Sequence, residues 1–340
     1  MKQLLSQTLR PLLAGLLLFA ACSDDNGGGI PAPAERKEVT VIYSTSGVGD
    51  DGYNSAILRG VVQAYKDLGF RLDQHMPANL DEATRISATW VADSAQAPTQ
   101  RLLVLASSEY EPLLDRLAAG PLPSADDVML LESRRTDLPA YTLYLPLYGA
   151  SYEAGYISGL LPYGNLSAIV CANPTDSTLT DGCRGFADGY YRRFGQAPPV
   201  HYLDQTTNGY AMSDSLYRLC HTFDAEYSFV YPLVGGSLGG LLRFTREYPH
   251  TFYTCGLDTD CSQLSSRVAF SVVKHIDRAV NSFLTQWVSD VPQPRHQRMG
   301  LGSGMVEVVL APGYDEFLGK ELTTITSEAL RKEELYEATR

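Results

Sequence analysis

Apolar positions along this chain keep two rhythms that alternate. Residues 39–43 form a short β-branched run that reads as a strand. Residues 54–68 then place Ile57, Val61, Ala64, Tyr65 and Leu68 at helical spacing, and Gly69 stands where a helix ends easily. The exchange repeats, with strands expected at 70–75, 101–106, 128–131 and 141–145 and helices at 80–95 and 109–119. A second series follows: helix 148–161, strand 167–172, helix 182–194, strand 199–203, helix 210–221 and strand 227–231. A glycine run at 235–240 opens a helix reaching 248; strands at 251–257, 267–273 and 305–310 and helices at 275–288 and 327–337 complete the set. Such alternation predicts an α/β fold: two doubly wound parallel-sheet lobes joined by a multi-stranded hinge, with a cleft between them.

The opening residues follow another rule. Lys2 and Arg10 are basic, residues 11–21 are apolar, and Leu18-Phe19-Ala20-Ala21 leads into Cys22. The apolar stretch is shorter than the ~20 residues of a membrane span. It resembles a bacterial lipoprotein signal, whose cysteine is lipidated and becomes the N-terminus; an ordinary signal peptide is the other reading. Ser23-Asp24-Asp25 behind it resembles the export signal of surface lipoproteins, or is a solvated linker. The expected organisation is a signal peptide at 1–21, a linker at 22–38, one lobe from 39–147 plus about 274–298, and another from 148–273 plus about 299–340. Localisation is then the cell envelope, with Cys22 holding a soluble body to a membrane, either the outer membrane or the cell surface.

Composition narrows the partners. With 27 basic and 39 acidic residues the formal net charge is −12, which repels a phosphate backbone and argues against a nucleic-acid polymer. Besides Cys22 there are cysteines at 171, 183, 220, 255 and 261; Cys171 with Cys183 and Cys255 with Cys261 are near enough in sequence to pair in an oxidising compartment. Zinc is the rival use, weakened by scattered histidines and the lack of any Cys-x-x-Cys. No nucleophile elbow, His-Glu-x-x-His pair or dinucleotide fingerprint occurs, so neither an enzyme nor a cofactor is expected.

In doubly wound sheets ligands sit beyond the carboxyl ends of the strands. Three such places carry chemistry: residues 44–54, the glycine run at 235–240, and Asp258-Thr259-Asp260. Gly47-Val48-Gly49-Asp50-Asp51-Gly52-Tyr53-Asn54 resembles the opening motif of the basic membrane protein family, substrate-binding lipoproteins of the purine nucleoside receptor type. Further matches follow in order. They are Glu153-Ala154-Gly155 with Gly159, Gly235-Gly236-Ser237, Gly256-Leu257-Asp258-Thr259-Asp260, and Ser271 to Lys274 with Asp277. Tyr53 stands where the family has phenylalanine, and Leu238 near the place of its second stacking aromatic.

The resemblance implies a periplasmic-binding-protein-like type I fold and a ligand-binding set of Asp50, Asp51, Tyr53, Asn54, Gly236, Ser237, Asp258 and Lys274. It also implies a purine nucleoside as ligand and an ABC transporter permease as partner. The residue chemistry suits a flat, neutral guest. Asp258 can accept a ribose diol, Asp50 or Asp51 a purine edge, and Asn54 offers both a donor and an acceptor. Tyr53 offers a stacking face and Lys274 a donor that offsets the carboxylates, while Glu153 reads as a helix-surface residue. A sugar or another small polar ligand remains open, as does a surface lipoprotein that keeps the fold for protein contacts alone.

Overall fold

The computed structural model describes residues 37–49, 52–93, 99–118, 126–137, 140–162, 166–223 and 226–340; the signal segment, Cys22, the linker up to residue 36, Asp50 and Asp51 lie outside them. In chain order the elements are β1 (Glu38–Tyr43), α1 (Tyr53–Leu68), β2 (Arg71–His75), α2 (Leu80–Asp93), β3 (Arg101–Ala106), α3 (Glu111–Ala118), β4 (Asp126–Leu131) and β5 (Tyr141–Tyr144). Then come α4 (Tyr148–Ser158), β6 (Ser167–Cys171), α5 (Ser177–Phe194), β7 (Val200–Tyr202), α6 (Ser215–Cys220), β8 (Phe229–Leu233), α7 (Leu238–Glu247) and β9 (Tyr253–Asp258). The last are β10 (Val268–Lys274), α8 (Ile276–Val288), β11 (His296–Arg298), β12 (Val306–Leu310) and α9 (Asp315–Glu337).

The strands form two six-stranded sheets, ordered β11-β5-β4-β3-β1-β2 and β12-β10-β9-β8-β6-β7. Both have the same winding: the first strand of each series lies between the second and third, so the order reverses there. All pairs are parallel except β10 with β12. Parallel strands covered by helices are buried on both faces, which is why β3, Arg-Leu-Leu-Val-Leu-Ala, is buried at every position. The chain crosses between the sheets three times: after β5, after β10 and after β11. These crossings are tied together, since Met299 N–H donates to Tyr144 O at 2.9 Å and His275 N–H to Met305 O at 2.8 Å.

Helix boundaries follow local chemistry. Gly69, at φ 69°, closes α1 in the left-handed region, its N–H donating to Tyr65 O at 2.9 Å. Asp176 caps α5, accepting from Thr178 N and Leu179 N, and so starts it five residues ahead of the apolar periodicity that suggested residue 182. Helices α4 and α5 meet along glycines: a Cβ at Gly155, Gly185 or Gly189 would overlap the backbone oxygen of Phe186, Tyr148 or Tyr152. Beneath the second sheet, Phe186 stacks 4.2 Å from Tyr231, and Phe229 lies 5.5 Å from Phe270.

Several expectations are corrected. The helix expected over 210–221 is a 3₁₀ turn at Thr207–Tyr210, a break, and the short α6. The break falls where Ser213 and Ser215 hydroxyls bond each other and Ser237 instead of continuing a helix. Helix α9 begins twelve residues before position 327, because only Leu318, Ile325, Ala329 and Glu333 are buried and a polar run hides the period. Strand β11, His-Gln-Arg, carries no apolar signal and was not expected. All five described cysteines are free, buried thiols, so neither expected disulfide is present. The Cys171 thiol donates instead to Asn173 O at 3.2 Å. Glu153 is not on a surface; it is 2% exposed within α4. Among the described residues no helix is long and apolar enough to cross a membrane.

Candidate functional site

The carboxyl ends of the two sheets face each other across a cavity of about 60 Å³. The first sheet contributes Ser44 and Ser46 after β1, Tyr53 at the start of α1, Ser107 and Ser108 after β3, and Glu132 after β4. From the second sheet come Asp176 and Thr178 after β6, Val234 and Gly235 after β8, Asp258 at the end of β9, and Lys274 at the end of β10, with Tyr210 closing one side. Both switch points, β1 against β3 and β6 against β8, open here, where this winding leaves a crevice.

Two contacts join the sheets across the cavity. Lys274 Nζ lies 2.5 Å from Glu132 Oε1, with both side chains almost sealed at 4% and 6% exposure. Ser108 Oγ donates to Asp176 Oδ2 at 2.5 Å. Lys274 also sits 5.6 Å from the Tyr53 ring centroid, over its face. Burial raises the Glu132 carboxyl above its usual range, more than Lys274 lowers it. The Tyr53 hydroxyl is held well above its usual pKa, first by burial and then by Glu132, Asp258, Asp176 and Glu109. Tyr210 is raised likewise, by burial and by Asp176.

Some polar atoms here find no hydrogen-bond partner among the described residues: Tyr53 Oη, Thr178 Oγ1 and, apart from the ion pair, both Glu132 oxygens. Buried polar groups are normally paired, so a polar guest in the cavity would gain partners from Tyr53 and Thr178. Glu132 and Asp258 also hold left-handed backbones, at φ 59° and 64°, a cost of order 1–3 kcal/mol each that tends to gather at binding sites.

Of the residues expected from sequence, Tyr53, Asp258 and Lys274 stand on the cavity wall. Asn54 does not. Its Oδ1 accepts from Ser44 N, and its Nδ2 donates to Ser44 O, Ser46 Oγ and Gly47 O, so the amide organises the loop behind the wall. Gly236 and Ser237 lie one step back, where Ser237 Oγ bonds Ser213 and Ala211 and Gly236 abuts Met212; Gly235 takes the wall position. Asp50 and Asp51 are outside the described residues. Sequence reasoning missed Glu132, Asp176, Thr178, Ser108 and Tyr210. Glu132 and Asp176 follow strands and could have been found by extending the strand-end rule to β4 and β6; Tyr210 was hidden inside an expected helix.

No family model and no curated protein matches the chain. Solved structures do. A solute-binding protein of an ABC transporter system from Aeropyrum pernix superposes with a TM-score of 0.71 at 15% identity, over 87% of this chain and 90% of that one. A carbohydrate transporter solute-binding protein from Agrobacterium radiobacter, in complex with D-arabinose, gives 0.62 at 16% identity, over 83% and 97%. A transcriptional activator of the comK gene from Bacillus halodurans gives 0.65 at 13%, over 86% and 96%. The fold is therefore periplasmic-binding-protein-like type I, as expected from sequence, and the range of roles among these structures shows that the fold alone does not fix the function.

Proposed function

We propose that this protein is a solute-binding protein that closes its two sheet ends around one small polar ligand. The observation that carries the reading is the cavity at both switch points, with Tyr53 Oη and Thr178 Oγ1 unpartnered on its wall and the Lys274–Glu132 pair beside them. At ~10–15 Å³ per water position, a cavity of about 60 Å³ holds four to six waters. That space favours a guest nearer a monosaccharide than a purine nucleoside, which needs the sheets further apart. Asn54, already spent on its own loop, also weakens the nucleoside reading. Binding, not catalysis, is the role of such a wall. In this reading Cys22 carries the lipid and an ABC-type permease receives the solute.

Native mass spectrometry of the purified protein, followed by scanning fluorimetry against sugars, nucleosides and amino acids, tests it. Expected are a non-covalent small molecule lost on denaturation and a raised Tm with one class of solute. An empty mass spectrum with no thermal shift across the panel would instead favour a scaffold for protein contacts.

A further inference from the structure

The two contacts across the cleft stand on lever arms of different length. The chain passes between the sheets at β5, β10 and β11, so those strands lie at the hinge. Lys274 is the last residue of β10 itself, and Glu132 follows β4, the neighbour of β5, so their pair sits close to the pivot. Ser108 follows β3, two strands in from β5, and Asp176 follows β6, three in from β10. With neighbouring strands ~4.8 Å apart, these two residues stand roughly 10–15 Å out from the hinge strands. A swing of ~10° about the hinge then parts them by about 2.5 Å, enough to break a hydrogen bond, and parts Lys274 from Glu132 much less.

Both ends of this outer contact are preset. Asp176 spends Oδ1 on the Thr178 and Leu179 N–H groups, at 2.8 and 3.0 Å, and its own N–H donates to Asn173 Oδ1 at 3.0 Å. Its Oδ2 is left for the other sheet. Ser108 opens a 3₁₀ turn whose start is fixed by Ser107 Oγ, which accepts from the Glu109 N–H. Hydroxyl and carboxylate meet at 2.5 Å, the short end of the range for such charge-assisted bonds, so a small separation already weakens the contact. All four residues of the two contacts line the cavity, so the outer one closes only over a solute that the cavity holds. We infer that the Ser108–Asp176 hydrogen bond is a size gauge, made over a solute that fits and held apart by a larger one, which makes Ser108 a specificity-determining residue. This rests on the solute-binding reading and deepens it.

The test uses matched pairs that share chemistry and differ in size: arabinose against maltose, adenine against adenosine, and alanine against trialanine. Each is titrated into the intact protein by calorimetry and followed by thermal shift. In the class that binds, the smaller member is expected to bind at least about tenfold tighter than its larger twin, the scale of one charge-assisted hydrogen bond. Ser108→Ala is expected to erase most of that preference while folding normally, since Asp176 keeps both backbone donors at the start of α5. A larger member that binds as tightly as its smaller twin overturns the inference and leaves solute binding standing. So does a preference that survives Ser108→Ala unchanged. Silence from these compounds and from the wider sugar, nucleoside and amino-acid panel removes the solute-binding reading itself, and the gauge with it.

Discussion

The carboxylate of Glu333 takes the backbone N–H of Gly149 onto one oxygen at 3.0 Å. Its other oxygen takes the N–H of Leu301, also at 3.0 Å. Gly149 opens α4 just past the first crossing and Leu301 lies within the third, so one side chain of α9 fastens two crossings together. Gly149 and Gly300 make the room, since a Cβ at either would strike that carboxylate. Glu333→Ala orphans two N–H groups at ~1–3 kcal/mol each and is expected to lower stability by about 2–4 kcal/mol. Urea denaturation measures this, and an unmoved midpoint would contradict the fastening role.

Acid should help one part of this region. Burial pushes Glu153 up to about 7 from an ordinary carboxylate value, against a hydrogen bond from Thr326 that lowers it. A folded pKa above the unfolded one means the folded state binds the extra proton. Its contribution is complete below the unfolded value of ~4.3 and is lost as pH rises through about 7. Glu153→Gln, which cannot ionise, is expected to gain roughly 2–3 kcal/mol over the parent at pH 8 and little at pH 4. Parallel denaturation curves at the two pH values check it; an equal difference at both would refute the titration.

Lys274 and Glu132 make a second test. Removing one partner of a buried pair costs ~3–5 kcal/mol, whereas replacing both is often near neutral. Lys274→Met is therefore expected to destabilise strongly, and Lys274→Met with Glu132→Gln to recover most of the loss. A double-mutant cycle reads the coupling directly. Additive losses would show that the two side chains do not depend on each other.

Tyr53→Phe separates stability from binding. The hydroxyl it removes is sealed and unpartnered, so the unliganded protein is expected to keep or slightly raise its Tm. Solute affinity is expected to fall about tenfold, the value of one lost hydrogen bond. Thermal shift with and without solute decides; a clear loss of Tm in the unliganded variant would mean the hydroxyl already serves the fold.

The glycine contact between α4 and α5 gives a fold-level prediction. A Cβ at Gly189 would overlap Tyr152 O, a backbone atom that cannot swing aside. Gly189→Ala is expected to cost about 1–3 kcal/mol or more despite the better helix propensity of alanine. A stabilised variant would show that the helices can separate freely.

Legibility in the sequence tracked the kind of force involved. Buried parallel strands such as β3 announce themselves through unbroken apolar runs, and helices with one greasy stripe, such as α1, through spacing. Both series were visible, and with them the α/β class. Elements held by polar contacts were not. The start of α5 depends on the Asp176 cap, β11 on edge pairing beside β5, and most of α9 on carboxylates such as Glu333. At the site, the strand-end rule led to Tyr53, Asp258 and Lys274. The same rule could not say that Asn54 turns inward, because its partners Ser44, Ser46 and Gly47 meet it only once the loop has closed. Glu132, next after an expected strand, was within the reach of that rule; what the sequence hid was its pairing with Lys274, 142 positions along the chain on the other sheet.

Three strands of chain laced side by side make a leaf spring. Such a spring bends readily about one line and resists both twist and sideways slip. In the proposed binding cycle the two halves would swing apart and return to the same alignment, so that Ser108 meets Asp176 and Glu132 meets Lys274 without a search for register.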